Sequence, residues 1–142
     1  LLEIDFDEND IINETHNHAF IDEETGNIIH LKGATPANKE QIGIIPSNQR
    51  DGVWVTKGLG NSYYLSSSSH GAGRTMSRKK AKEKLNVDNT KKQMEGITAK
   101  INNKNLDESP DAYKSIDEVL SYQENIVIET LDHFTPRIVI KG

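Results

Sequence analysis

The sequence predicts an α+β fold with mixed or antiparallel strands and a few helices. Three observations lead there. The first 58 residues carry short β-rich runs broken by turn signals. The middle changes to helix-forming, lysine-rich segments, and the last 17 residues return to β-branched runs. Strands, then helices, then strands is not the βαβ alternation of a doubly wound sheet. A chain of 142 residues suits one domain with one modest core.

The elements follow in order. Residues 1–9, LLEIDFDEN, alternate apolar and polar and predict an edge strand. HAFID and IIHLKG flank a Gly-Asn turn and predict a hairpin. QIGIIPS predicts a buried strand ending at Pro46, and GVWVTKG a second strand with Trp54 as its largest apolar residue. IPSNQRDG between them reads as turn chemistry, with Asp51-Gly52 closing a hairpin. GLGNSYYLSSSS predicts a loop of small residues. From Ser77 the pattern is helical, and Arg74 and Arg78 share a face if the helix begins early enough. TKKQMEGITAKI predicts a helix, or a helix and a strand. SIDEVLSYQEN predicts an amphipathic helix with Ile116, Val119 and Leu120 on one face. IVIETLDHFTPRIVIKG predicts two strands around Pro136.

Charge is unevenly distributed. Residues 1–31 hold nine acids and no Lys or Arg, whereas residues 70–104 hold ten basic residues and three acids. The basic block is a solvated helix face or a phosphate-binding surface within an acidic protein. Cysteine is absent, which excludes disulfides and Cys-ligated metals in this chain and fits the cytoplasm. No apolar run is long enough to span a bilayer, so no membrane partner is expected.

The chemistry concentrates in SSSSHGAGRTMSR, residues 66–78. The glycines around Ala72 let backbone amides approach a phosphate, and a helix beginning there would favour an anion. Neutral imidazole is a competent nucleophile toward phosphorus, and Arg74 and Arg78 follow it. Taken alone, His70 is equally well a loop histidine that caps the next helix. His16 and His18 are two apart and on a strand could face one ion; ordinary surface histidines are the alternative.

THNHAF, HLKGATPA, IGIIPSNQRDG, SSHGAGRTMSR, LDESPDAYKSIDEV and a terminal VIKG, in this order, resemble the C-terminal part of the RtcB family. These are GTP-dependent RNA ligases of tRNA splicing and RNA repair. The resemblance runs from about Glu14 onward. It implies a C-terminal portion, residues 1–142, of the larger RtcB-like fold, with most metal ligands lying upstream. It also implies ligation of 2′,3′-cyclic phosphate or 3′-phosphate ends to 5′-hydroxyl ends, with GTP and manganese, by the full-length protein, the fragment alone being expected to be inactive. His70 would be the guanylylated nucleophile and His16 a manganese ligand beside Asn17. Pro46, Ser47, Asn48, Gln49 and the turn His70, Gly71, Ala72 and Gly73 would form the nucleotide pocket. Tyr113 would pack on guanine and Lys141 would bind it. Arg74 and Arg78 suit RNA or triphosphate oxygens. Many members have Gly-Ser-Met-Gly after the proline where this chain has Ser-Asn-Gln-Arg, so its guanine contacts would be rebuilt. The expected partners are RNA and GTP, with self-association expected from open strand edges. The alternative is a nucleotide- or RNA-binding module without chemistry.

Overall fold

The structure is a computed structural model, and it describes residues 11–140 apart from Glu24. The predicted edge strand at residues 1–9 lies outside the described residues, as does Lys141. The first hairpin forms as predicted. β1 (Asn17–Ile21) pairs antiparallel with β2 (Ile28–Lys32). β3 (Ala34–Pro36) follows at once.

β4 (Ile42–Pro46) and β5 (Val53–Gly58) form the next hairpin. β5 also pairs antiparallel with β8 (Ile128–Phe134), with a register shift between Val55 and Thr56. In this three-stranded sheet, ordered β4-β5-β8, the alternation of β5 buries Trp54 and Thr56.

The predicted serine loop is corrected. Ser62–Tyr64 form a 3₁₀ turn, and Ser67–Ser69 form strand β6, antiparallel to β3. Ser68 turns inward, with its Oγ 3.3 Å from Thr35 Oγ1. Pairing to β3 supplies backbone partners that the serine composition does not announce.

The helical middle is short. α1 (Arg78–Lys84) is capped by Ser77, whose Oγ accepts from the Lys80 amide at 3.2 Å. α2 (Val87–Gln93) is capped in the same way by Asn86, and β7 (Thr98–Ala99) follows, so the helix-plus-strand alternative holds. β7 pairs with β9 (Ile138–Val139) in the one parallel pairing among the described strands. Residues 103–108 and 110–112 form two 3₁₀ turns.

α3 (Ile116–Ser121) presents Ile116 and Leu120 to the core, with Val119 packed at its margin. Burying each of the first two contributes about 1.5–3 kcal/mol. They meet Ile45, Trp54 and Ile128 from the sheet. Ala72 of the Gly-Ala-Gly turn completes this cluster and is 3% exposed, so its methyl group pins the turn to the core. Among the described residues, no helix is long and apolar enough to cross a membrane.

Candidate functional site

His70 stands immediately after β6. Gln123, just past α3, clamps the end of that strand: its Oε1 accepts from the Ser69 amide and its Nε2 donates to Ser69 Oγ, each at 2.8 Å. The next amide, of His70, donates to the Gly33 carbonyl at 3.3 Å. The His70 ring uses the same acceptor, with Nδ1 2.9 Å from Gly33 O. A carbonyl has no proton to give, so Nδ1 must carry the hydrogen. In the neutral ring this leaves the lone pair on Nε2. The half-buried ring therefore has one anchored nitrogen and one available nitrogen.

His16 lies against it. The two rings stack with centroids 5.1 Å apart and planes 12° from parallel. Gly33 joins them, because its amide donates to the His16 carbonyl at 3.0 Å. Both histidines line a cavity of about 320 Å³ with Thr35 and Pro46. Glu14 lines it as well, and burial pushes its carboxyl above the usual range despite a long hydrogen bond from the Ile44 amide. His18 does not share this cavity. Its ring stacks on Phe20 at 5.6 Å, and its Nδ1 lies 3.1 Å from Thr15 Oγ1, so His16 and His18 do not face one ion.

The turn after His70 is bound to the strand it passes. The Ala72 amide donates to the Pro46 carbonyl at 3.1 Å. A Cβ on Gly71 would sit 2.9 Å from that carbonyl oxygen, and Gly73 has φ +72°. The Ala72 amide is thus already used, while those of Gly71 and Gly73 have no partner among the described residues. The helix does not begin at this turn. Arg74 forms an isolated bridge with Tyr113, and Ser77 caps the helix at Arg78, so no helix N-terminus points at His70. Arg74 therefore shares no helix face with Arg78.

The two arginines converge elsewhere. Arg74 Nη1 donates to Tyr113 Oη at 2.9 Å and lies 3.6 Å from Glu108, and its Nη2 donates to the Asp107 carbonyl. Its guanidinium also sits 4.7 Å above the Tyr113 ring centroid. Arg78 pairs with Asp107 at 2.9 Å and with Glu108, and Lys82 adds a contact to Asp107 at 3.3 Å. Burial works to raise the Asp107 carboxyl, but the hydrogen bonds from Arg78 and Lys82 outweigh it and hold it below the usual range. The Tyr113 hydroxyl donates to Glu108 at 2.5 Å; burial, and then this bond, push it up to about 12. Both guanidinium groups are thus already engaged within the protein.

The Pro46–Gln49 loop touches three cavities. Pro46 lines the His70 cavity. Asn48 lines a larger one, about 540 Å³, with Trp54, Tyr113 and His133. Gln49 lines a third, about 420 Å³, with Arg78 and Lys82. The loop is shaped by Asn48, whose Oδ1 accepts from the Arg50 and Asp51 amides at 2.9 and 3.0 Å. Ser47 closes it with an amide bond to the Gly52 carbonyl at 2.9 Å. The hydrogen bond from Arg50 holds the Asp51 carboxyl below its usual range. The predicted nucleotide residues therefore divide: His16, Pro46 and His70 on one cavity, Asn48 and Tyr113 on another. Asn17 faces away, with Oδ1 3.3 Å from His30 Nε2.

Three contributors escape sequence reasoning. Gly33 acts through its carbonyl, which has no side-chain signature. Gln123 acts across 54 residues of sequence. His133 stacks on Trp54 at 3.8 Å and donates from Nε2 to the Asp51 carbonyl at 2.6 Å, forming a wall of the largest of these cavities.

A family model described as "tRNA-splicing ligase RtcB" matches residues 2–142. The chain belongs to the RtcB family. It is 35% identical to the RNA-splicing ligase RtcB of Escherichia coli strain K12, over 92% of this chain and 32% of that relative. It is likewise 35% identical to the tRNA-splicing ligase RtcB of Nanoarchaeum equitans, over 89% of this chain and 32% of that relative. The tRNA-splicing ligase RtcB of Methanopyrus kandleri is 31% identical, over 89% of this chain and 16% of the relative. The chain thus spans 32% of the length of the first two RtcB relatives.

Proposed function

We propose that this chain is the C-terminal, nucleophile-bearing portion of an RNA ligase. In this reading the full-length ligase joins RNA ends bearing a 2′,3′-cyclic phosphate or a 3′-phosphate to 5′-hydroxyl ends, using GTP and manganese, and this chain supplies the nucleophile. The observation that carries the reading is the His70 ring, anchored through Nδ1 to Gly33 and leaving Nε2 for phosphorus. His70 Nε2 forms a bond to the α-phosphorus of GTP as pyrophosphate leaves. The RNA end, opened to a 3′-phosphate, takes the guanylate and returns His70 to its free form. The 5′-hydroxyl then attacks that phosphate and releases GMP. The Gly71 and Gly73 amides are suited to phosphate oxygens. Asn48 and Tyr113, on the largest of these cavities, are the proposed contacts to the base, joined by Ser47, Gln49 and Lys141.

His16 would supply one imidazole ligand to the proposed manganese, an ion that otherwise favours oxygen donors: its ring lines the His70 cavity and its nitrogens have no protein partner among the described residues. The metal would supply charge stabilisation at the phosphoryl group. Among the described residues, no group of three or more His, Asp or Glu side chains could hold an ion. That observation favours a second reading, a nucleotide- or RNA-binding module without chemistry. Self-association belongs to this proposal too, supported by the exposed Ile21 and Ile28 of the first hairpin.

The test is incubation of the full-length ligase with α-labelled GTP and manganese; the 142-residue portion alone is expected to show no ligation. The expected result is an acid-labile label that His70→Ala abolishes. Label that persists in that variant overturns the assignment of His70, and a wild-type protein that takes no label supports the module.

A further inference from the structure

The cavity of about 420 Å³ between α1 and residues 99–105 meets that chemistry only at Gln49. Its floor is acidic, but the acids are spent. Asp107 is 6% exposed and is held by Arg78 and Lys82. Glu108 is held by Arg78 and Arg74. Lys100 and Lys104 line the same cavity, are exposed, and make no ion pair among the described residues. Four cations therefore face two carboxylates, and the surplus charge sits on the two lysines.

These lysines are presented from a fixed backbone. Asn102 Oδ1 accepts from the Lys104 amide at 2.8 Å, and Asn105 Nδ2 donates to the Lys100 carbonyl at 2.5 Å. α1 extends the charge beyond the cavity with Lys79, Lys80 and Lys84, all exposed and without an ion-pair partner among the described residues. The chain as a whole carries a formal charge of -5, so a polyanion is drawn to this face and repelled by the rest. Gln49 lines this cavity and Pro46, three residues earlier in the same loop, lines the cavity of His70.

We propose that this cleft is a track for the ribose-phosphate backbone of single-stranded RNA whose end is at His70, an inference that rests on the RNA-ligase reading. Cations spread along a cleft, with lysine rather than paired guanidinium groups at the rim, suit successive phosphates and no particular base.

The probe is a fluorescein-labelled, unstructured RNA of about 20 nucleotides, long enough to occupy a site of this kind. Its binding is followed by anisotropy as salt is raised. The double variant Lys100→Ala/Lys104→Ala is expected to flatten the slope of log K against log salt by about 1.4, roughly 0.7 for each phosphate no longer neutralised. Lys100→Arg/Lys104→Arg is expected to restore it. Both lysines are exposed, so the melting temperature of the alanine variant is expected to match that of the parent, which separates a binding defect from a folding defect. A double alanine variant with the parent's affinity and slope overturns the track. Stronger binding to phosphatidylserine vesicles than to RNA overturns it in favour of a membrane surface. Failure of the parent to bind RNA overturns the track, whereas failure of GTP labelling with lysine-dependent RNA binding intact leaves the track standing and favours the binding module over the ligase.

Discussion

His70 and Arg74 are four residues apart and have opposite fates. His70 makes two contacts to one backbone carbonyl, keeps its other ring nitrogen without a partner among the described residues, and lines a cavity. Arg74 is enclosed by Tyr113, Glu108 and the Asp107 carbonyl, and its side chain is 23% exposed. The buried methyl group of Ala72 is the divider. On one side the chain is held by backbone hydrogen bonds that leave side chains reactive. On the other, charged side chains are consumed in holding α1 against the 103–108 turn. A basic residue next to a nucleophile is therefore not automatically a substrate contact; where its charge is already satisfied, it is scaffold.

The sharpest way to break this contrast is to compare His70→Ala with Arg74→Ala. His70→Ala is expected to abolish GTP labelling while costing only about 1 kcal/mol of stability, one hydrogen bond to a backbone carbonyl. Arg74→Ala is expected to cost about 2–3 kcal/mol, because it removes hydrogen bonds from a charged donor and leaves Glu108 with fewer partners. Denaturant unfolding of both variants checks the order, and a reversed order would dissolve the distinction between the two ends of the segment.

A smaller effect concerns acid. The Asp107 carboxyl is held below its ordinary value of 3.8 in the folded chain, so it binds a proton less readily than in the unfolded chain. Its contribution is complete above that value and is lost as pH falls through the folded one. Asp107→Asn is expected to destabilise the protein at neutral pH and to flatten the acid limb of the stability profile. Thermal melts between about pH 7 and pH 2 measure both, spanning the range of carboxylate titration. The smallest effect is expected from Ser77→Ala, which removes the α1 cap and costs about 1 kcal/mol, with no change in GTP labelling. A larger destabilisation, or a loss of labelling, would mean that α1 supports the His70 turn more directly than its cap suggests.

Much of the architecture is legible in local pattern. The hairpin of β1 and β2 announces itself through β-rich runs around a Gly-Asn turn, and Ile116, Val119 and Leu120 announce α3 by their spacing. β6 does not announce itself, because three serines have weak strand preference and only β3 supplies their pairing. Local spacing would let α1 begin early enough to include Arg74, whereas its bridge to Tyr113, 39 residues away, keeps it out of the helix. Among site residues, His70 and the 46–49 loop are visible as side chains in a motif. Gly33, Gln123 and His133 are not, because their roles are backbone acceptance, a clamp from a distant turn, and a stack on Trp54.

By itself, then, the sequence determined the fold class, the RtcB family, and the segment that holds the candidate nucleophile. Those depend on periodicity, turn chemistry and motif order, which are written along the chain. Only the tertiary structure decided which nitrogen of His70 is available, that His16 stacks on it, and that Arg74 and Arg78 are bound to distant acids while Lys100 and Lys104 remain unpaired among the described residues. Tautomer, stacking and charge neutralisation depend on which groups meet in space, and a burial or hydrogen bond between distant residues has no local signature.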